Sequence, residues 1–136
     1  MDENRLSVTI TTPQKKWVLD DIISVTAPGV MGSFQVLSQH APLMTQLEIG
    51  EIKVEKEGST ELYATAGGFL EVLKNNVSLL LESCEKGLEI DSARAENSAE
   101  RARNRLKNRS DEIDIPRAEM ALARALNRIR IANKVK

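Results

Sequence analysis

The chain has 136 residues, with 19 Lys and Arg against 20 Asp and Glu, so its formal net charge is −1. This length suits one medium domain, or a small domain with an appendage, and a single modest core. No apolar run approaches the roughly 18 residues of a membrane span, and residues 1–5 are polar with no apolar segment behind them. We therefore expect neither a transmembrane helix nor a secretory signal.

The N-terminal part is typical of short strands. Its apolar segments alternate or are rich in branched residues, and glycine, asparagine and proline separate them. The predicted strands are residues 6–10, 22–26, 34–37, 51–55, 61–65, 69–73 and 77–81. Many short strands at close spacing predict an antiparallel β-sandwich or barrel.

This part contains no recognisable catalytic set. His40 is the only histidine, and without a second base or a companion metal ligand we interpret it as a loop or packing residue. Gly67 and Gly68 lack the lysine and the spacing of a phosphate-binding loop. The only cysteine, Cys84, has no disulfide partner, which indicates a reducing, cytosolic environment and a small packed residue. We predict no catalytic residue and no metal site.

Composition changes sharply near Gly87. All seven Gly and all four aromatic residues lie at or before this position. Residues 1–88 carry 7 basic and 12 acidic side chains, whereas residues 89–136 carry 12 and 8. The sequence therefore predicts two domains, a β domain at 1–87 and a helical domain at 88–136.

The helical domain contains a repeat, since residues 90–106 recur as residues 113–129 with 9 of 17 positions identical. Asp91 and Asp114 precede strong helix formers and are predicted N-caps. A short polar connection at 107–112 favours two antiparallel helices over one long rod. The sequence predicts a helical hairpin that turns about residues 109 and 110.

Each repeat carries three arginines at i, i+7 and i+11, which share one helix face. They are Arg94, Arg101 and Arg105 in the first copy and Arg117, Arg124 and Arg128 in the second. A solvated, salt-bridged face is one interpretation. However, the only carboxylates three or four residues away are the predicted caps, which favours an external polyanion such as a phosphate chain. The predicted turn places Arg94 near Arg124 and Arg128, Arg101 near Arg117, and Arg105 near Asp114.

Several segments in order resemble one family. They are the His40-Ala41-Pro42 and Gly67-Gly68-Phe69-Leu70-Glu71-Val72 segments and the IDxxRA element at residues 90–95. Together they resemble the epsilon subunit of the F-type ATP synthase over essentially the whole chain. The resemblance implies an α+β fold, an N-terminal antiparallel β-sandwich followed by a C-terminal antiparallel two-helix hairpin.

The resemblance also implies a regulatory and coupling role in a rotary proton-translocating enzyme, without catalysis by this subunit. The sandwich would lie at the foot of the rotor stalk and contact the gamma subunit and the c-ring. The hairpin would either fold against the sandwich or extend toward the catalytic alpha/beta hexamer and inhibit ATP hydrolysis. We expect a peripheral location at the cytoplasmic face of a bacterial cell membrane.

In bacterial members of this type the folded hairpin binds ATP as a regulatory ligand, with no metal or prosthetic group predicted here. By matching position, Glu85, Ile90, Asp91 and Ala95 would surround the adenine. The phosphates would be held by Arg94, Arg101, Arg124 and Arg128. We expect Arg105 and Arg117 to be structural, with Arg105 paired to Asp114.

Two other interpretations remain at this stage. A structural adaptor of the rotor stalk would use the same sandwich and hairpin without any ligand. An RNA-binding module would use the arginine-rich helices, but the chain is net acidic and its basic segment lacks aromatic stacking residues. We therefore expect no nucleic-acid partner.

Overall fold

The computed structural model describes residues 4–108 and 113–135, and it divides them into a β domain followed by two helices. The strands are β1 Leu6–Thr11, β2 Lys16–Gly29, β3 Gly32–Leu37, β4 Leu43–Leu47, β5 Gly50–Lys56, β6 Ser59–Thr65, β7 Gly68–Leu73, β8 Asn76–Leu81 and β9 Cys84–Lys86. A 3-10 turn at Gly87–Glu89 leads to α1 Ser92–Lys107 and α2 Ile115–Val135. This confirms the predicted α+β fold class.

The long strand β2 joins the two layers of the sandwich. Residues in its first half pair with β1, and residues in its second half pair with β3 and β5. Both ladders shift register near Ile22, directly after Asp21, which has a positive φ of 56°. The shift bends the strand, so a single segment contributes to both sheets.

Alternation explains why these segments form a sandwich. In β1 the residues Leu6, Val8 and Ile10 point inward and are at most 1% exposed, while the residues between them are half-buried. The same inward set in the other strands is almost wholly aliphatic, so the core needs few polar partners. Trp17 and Phe34 pack at its edge.

All seven predicted strands are present, but three parts of the sheet were not predicted. These are the first half of β2, the strand β4 and the three-residue strand β9. One pairing also departs from the antiparallel pattern, because β1 runs parallel to β8. The first strand, β1, thus lies beside the late strand β8, and this pairing closes the sandwich.

The predicted helix caps are confirmed. The Asp91 carboxylate accepts a hydrogen bond from the Arg94 backbone N–H at 3.1 Å, and Asp114 does the same for Arg117 at 3.1 Å. The helices pack through small residues that are buried, namely Ala95, Ala99, Ala102, Ala118 and Ala125. The predicted turn about residues 109 and 110 lies outside the described residues.

Helix α2 anchors the hairpin to the sandwich. Ile131 and Ala132 are fully buried and pack with Ala64 of β6 and with Ile90. The buried Asn127 donates its amide N–H to the Gly50 carbonyl at 2.8 Å, and Lys134 Nζ lies 2.8 Å from a Glu51 carboxylate oxygen. No helix within the described residues is long and apolar enough to cross a membrane.

Candidate functional site

A cavity of about 910 Å³ lies between the two helices and the sandwich. The sandwich forms one wall through the end of β6 and through β9, and the helices form the others. Its lining residues are Gln14, Ala64, Thr65, Ala66, Ser83, Cys84, Glu85, Arg94, Ser98, Arg101, Ala102, Arg105, Ala121, Arg124, Ala125, Asn127 and Arg128. The volume is in the range of pockets that bind small molecules and cofactors.

The cavity wall is strongly basic. Arg94, Arg101 and Arg105 face it from α1, and Arg124 and Arg128 face it from α2, whereas Glu85 is the one acidic residue among its lining residues. The i, i+7 and i+11 spacing in α1 explains why three arginines reach the same wall. Five guanidinium groups facing one carboxylate favour a ligand with several negative charges.

Glu85 and Arg128 form an ion pair across the cavity. Arg128 Nε lies 2.7 Å from Glu85 Oε1, and Arg128 Nη2 lies 3.1 Å from Oε2, so the contact is bidentate. Both side chains are partly buried. Arg101 donates to the Ser98 hydroxyl at 3.1 Å instead of to a carboxylate. Within the described part of the chain, Arg128 is therefore the one cavity arginine that has an acidic partner.

The expected pair between Arg105 and Asp114 is wrong. Among the described residues Arg105 forms no ion pair, and Asp114 caps α2. Arg105 lines the cavity instead, and Arg117, which was expected near Arg101, is not among the lining residues.

The structure brings together five of the eight residues expected around ATP, namely Glu85, Arg94, Arg101, Arg124 and Arg128. The other three lie elsewhere. Ile90 is buried in the contact between α2 and the sandwich, Asp91 caps α1, and Ala95 is buried between the helices. The four arginines expected to hold the phosphates therefore share the cavity wall, whereas Glu85 is the only one of the four expected adenine residues that lines it.

Several wall residues were not predicted from the sequence. No local sequence pattern indicates the role of Thr65, which becomes clear only in the folded chain. Its hydroxyl donates a hydrogen bond to the Ser83 carbonyl at 2.8 Å and fixes the turn beside β9. Asn127 was also missed, since an asparagine on a polar helix gives no sign that it will be buried. Arg105 had a signal in its ladder spacing, but the assumed turn position assigned it a different partner.

Cys84 faces the cavity as a protonated thiol. Burial raises its pKa to about 12, opposed by the nearby Lys15 ammonium and reinforced by the Glu85 carboxylate. A thiol in this state is a poor nucleophile at neutral pH. His40 is not among the lining residues, and its Nδ1 is 2.7 Å from the Ala41 carbonyl oxygen. The arrangement is suited to binding an anion.

Two domain models of one protein family match the chain in sequence. Residues 5–87 match the beta-sandwich domain of the ATP synthase delta/epsilon chain, and residues 89–133 match its long alpha-helix domain. The ATP synthase epsilon chain of Carboxydothermus hydrogenoformans is 44% identical over 107 residues, covering 79% of this chain and 80% of the relative. That of Pelotomaculum thermopropionicum is 42% identical over 106 residues, covering 78% and 79%.

Two solved structures share the fold. A chain of the Euglena gracilis mitochondrial ATP synthase superposes with a TM-score of 0.77 at 23% identity, covering 90% of this chain and 78% of that one. A chain of the Tetrahymena thermophila mitochondrial ATP synthase central stalk and c-ring gives 0.60 at 18% identity, covering 99% and 98%. At these identities the likeness concerns the fold.

Proposed function

This chain belongs to the ATP synthase delta/epsilon chain family, and from that premise we propose that its hairpin senses ATP in a bacterial rotary enzyme. Its relatives are epsilon chains, the non-catalytic subunit of ATP synthase. In the proposal, the sandwich docks on the rotor stalk and has a coupling role there. The helices inhibit ATP hydrolysis when they extend toward the alpha/beta hexamer. The subunit is then peripheral to the membrane on its cytoplasmic face.

Exposed apolar residues on the sandwich support a docking role beside the gamma subunit and the c-ring. Met31 is 96% exposed at the turn between β2 and β3, and Met44 is 68% exposed on β4. Phe69 and Leu80 are both about half exposed and sit opposite each other on β7 and β8. Exposed apolar side chains grouped on one domain are typical of interaction surfaces.

The basic cavity is the observation that carries the ATP proposal. A triphosphate presents oxygen atoms along a chain, and guanidinium groups donate forked hydrogen bonds to such oxygens. The five arginines come from both helices, so a bound phosphate chain bridges α1 to α2 and to the sandwich. ATP would thereby stabilise the folded hairpin.

The helix interface makes such control feasible. Alanine dominates the buried contact between α1 and α2, and little apolar area is removed from water per residue. Folded and extended forms then differ by a small free energy. A ligand present at 100 times its dissociation constant stabilises the form it binds by about 2.7 kcal/mol, which is enough to invert a modest preference.

Calorimetric titration of the whole chain with ATP tests the proposal. We expect saturable binding by the wild type, and a loss of affinity of roughly tenfold or more for Arg94→Ala and for Arg128→Ala, since each removes charge-assisted hydrogen bonds. Arg103→Ala is the matched control. Arg103 lies on α1 outside the cavity lining and pairs with Glu100 at 3.5 Å, so its loss should leave the affinity unchanged.

A structural adaptor without a ligand is the second candidate. The contacts of Asn127 with Gly50 and of Lys134 with Glu51 hold the hairpin to the sandwich without using any of the cavity arginines, which favours this alternative. Wild-type protein that releases no heat at millimolar ATP would establish the adaptor and end the sensor proposal. The family membership would be unaffected.

A further inference from the structure

Among the residues that the structure describes, the sandwich wall of the cavity has no basic side chain of its own. All five arginines that line the cavity come from the helices, and the one charged lining residue of the β domain is Glu85. Lys86, which follows it, is paired with Glu61 at 3.5 Å. On the sandwich side, a bound phosphate chain therefore meets a carboxylate and no lining cation.

The turn between β1 and β2 brings a cation to the edge of that wall. Gln14, at the tip of the turn, lines the cavity, and Lys15 follows it. The Thr12 N–H donates to the Lys15 carbonyl at 2.9 Å, and the Lys15 N–H donates to the Thr12 hydroxyl at 3.2 Å. Pro13 further restricts the backbone of the turn. The turn is therefore rigid, and it holds the base of the Lys15 side chain beside the cavity.

The Lys15 ammonium has a replaceable partner. Its Nζ lies 4.7 Å from the centroid of the Trp17 ring, and among the described residues it forms no ion pair. A cation–π contact at an exposed position is weak, whereas a charge-assisted hydrogen bond to a phosphate oxygen is strong. Lys15 is exposed, so its flexible stem can move the ammonium without disturbing the core.

The charge of Lys15 already acts on the cavity wall. Burial raises the pKa of the Cys84 thiol to about 12, and the Lys15 ammonium opposes this rise. Cys84 is a lining residue, so the ammonium influences the wall from its place over the ring. A phosphate chain in the cavity carries several negative charges and attracts the same ammonium through the same space.

We propose that Lys15 leaves the Trp17 ring and binds the phosphate chain of the ligand, so that the sandwich contributes a cation of its own. The inference rests on the proposed ATP binding and names the group through which that ligand holds the hairpin on the β domain. The arginines join α1 to α2 through the ligand, and Lys15 joins the ligand to the sandwich. Because the Lys15 contact exists only when the hairpin is docked, it strengthens the preference of the ligand for the docked form.

Calorimetric titration of the whole chain with ATP and with inorganic tripolyphosphate tests the contact. Lys15→Met removes the ammonium and leaves a side chain that packs well on an aromatic ring. We expect it to weaken the binding of both ligands by roughly tenfold, the effect of losing one charge-assisted hydrogen bond. Lys15→Arg keeps a cation at this position, and its affinities should stay within about threefold of the wild type.

Lys16→Met is the matched control. Lys16 carries the same charge at the start of β2, but it is outside the cavity lining and lies on the opposite face of the strand from Trp17. Its loss should leave both affinities unchanged. If Lys15→Met and Lys16→Met weaken binding equally, only the overall charge matters and the contact is overturned. If Lys15→Met weakens the binding of ATP but not of tripolyphosphate, the contact is with the nucleoside and the proposal is again overturned.

Trp17, the single tryptophan, reports the movement of the ammonium. Tripolyphosphate suits this measurement because it has no aromatic ring to absorb the exciting light. We expect its binding to change the emission of the wild type saturably, with the same midpoint as the calorimetric curve, and to leave the emission of Lys15→Met constant. Wild-type emission that stays constant while the calorimeter records binding would show that the ammonium does not leave the ring.

Hydrogen exchange of α2 tests the link to the hairpin. At saturating ATP, we expect protection of α2 to rise less in Lys15→Met than in the wild type, because the variant has lost the contact between ligand and sandwich. An equal rise in both proteins would contradict that link. If the wild type binds neither ATP nor tripolyphosphate, the ATP-sensor proposal fails and this inference fails with it. If the wild type binds both and Lys15→Met binds them equally well, the sensor proposal stands and the Lys15 contact alone is overturned.

Discussion

Replacing Gly68 by alanine is expected to lower the free energy of unfolding of the sandwich by about 4 kcal/mol or more, at the upper end of single substitutions. Gly68 has a φ of +153°, and an added Cβ would lie 2.0 Å from the Leu80 carbonyl oxygen and 2.9 Å from the Leu81 Cα. Both contacts are backbone atoms of the neighbouring strand β8, which cannot rotate away. The residue pairs with Leu81 on one side and Leu47 on the other, so a shift would disrupt two ladders.

Gly58→Ala is the matched control for this change. Gly58 also has a positive φ, +80°, but no atom lies within 4 Å of its added Cβ. It should therefore cost only the conformational strain of about 1–2 kcal/mol. Urea unfolding followed by fluorescence of Trp17, the single tryptophan, which packs against the core, measures both variants. Equal midpoints for the two variants would show that the close approach of β8 to Gly68 is not the constraint.

The fold was largely predictable because its signals are local. Strand alternation, glycine turns and two aspartate caps each act within a few residues, and all seven predicted strands and both caps are present. β4 was missed because its residues Met44 and Gln46 face outward and its pattern is short. β9 has three residues and depends on pairing with β6, which no local pattern reveals.

The site was predictable to the extent that it depends on helix periodicity. The arginine spacing within α1 placed Arg94, Arg101 and Arg105 on one face, and these three do share the cavity wall. The partner of Arg105 was not predictable, because it depends on how the two helices pack against each other and not on the spacing within either helix. The Glu85–Arg128 pair spans 43 residues and arises only when α2 docks on the sandwich.

That docking also explains why Ile90, which was expected beside the adenine, does not line the cavity. Ile90 packs with Ile131 and Ala64 instead of lining the cavity, and Ala95 lies in the alanine interface. A match to the family motif shows which residue types the chain carries at these positions. The direction in which each side chain points is set by packing between elements that are distant in sequence. In this chain the basic groups face the cavity, whereas the apolar residue Ile90 of the motif helps to hold the hairpin in place.

Ile131→Ala is expected to weaken docking of the hairpin by about 2–5 kcal/mol without unfolding the sandwich. The side chain is fully buried between α2, Ala64 and Ile90, outside the core cluster of the sandwich. Hydrogen exchange should show loss of protection throughout α2, with the core strands β1 and β8 unchanged. Leu126→Ala on the same helix is the control, because Leu126 is 42% exposed and contributes little to docking.

Weaker docking of the hairpin should also affect regulation, because the docking free energy sets the balance between the folded and the extended hairpin. If extension of the hairpin inhibits ATP hydrolysis, a weakened dock raises the population of the inhibitory form, so the assembled enzyme carrying Ile131→Ala should hydrolyse ATP more slowly at low ATP. Because the bound ligand must now offset the lost docking energy, the ATP concentration that restores half of the activity should rise by roughly tenfold or more. An enzyme with loosened α2 and unchanged hydrolysis would separate docking from inhibition and contradict the switch.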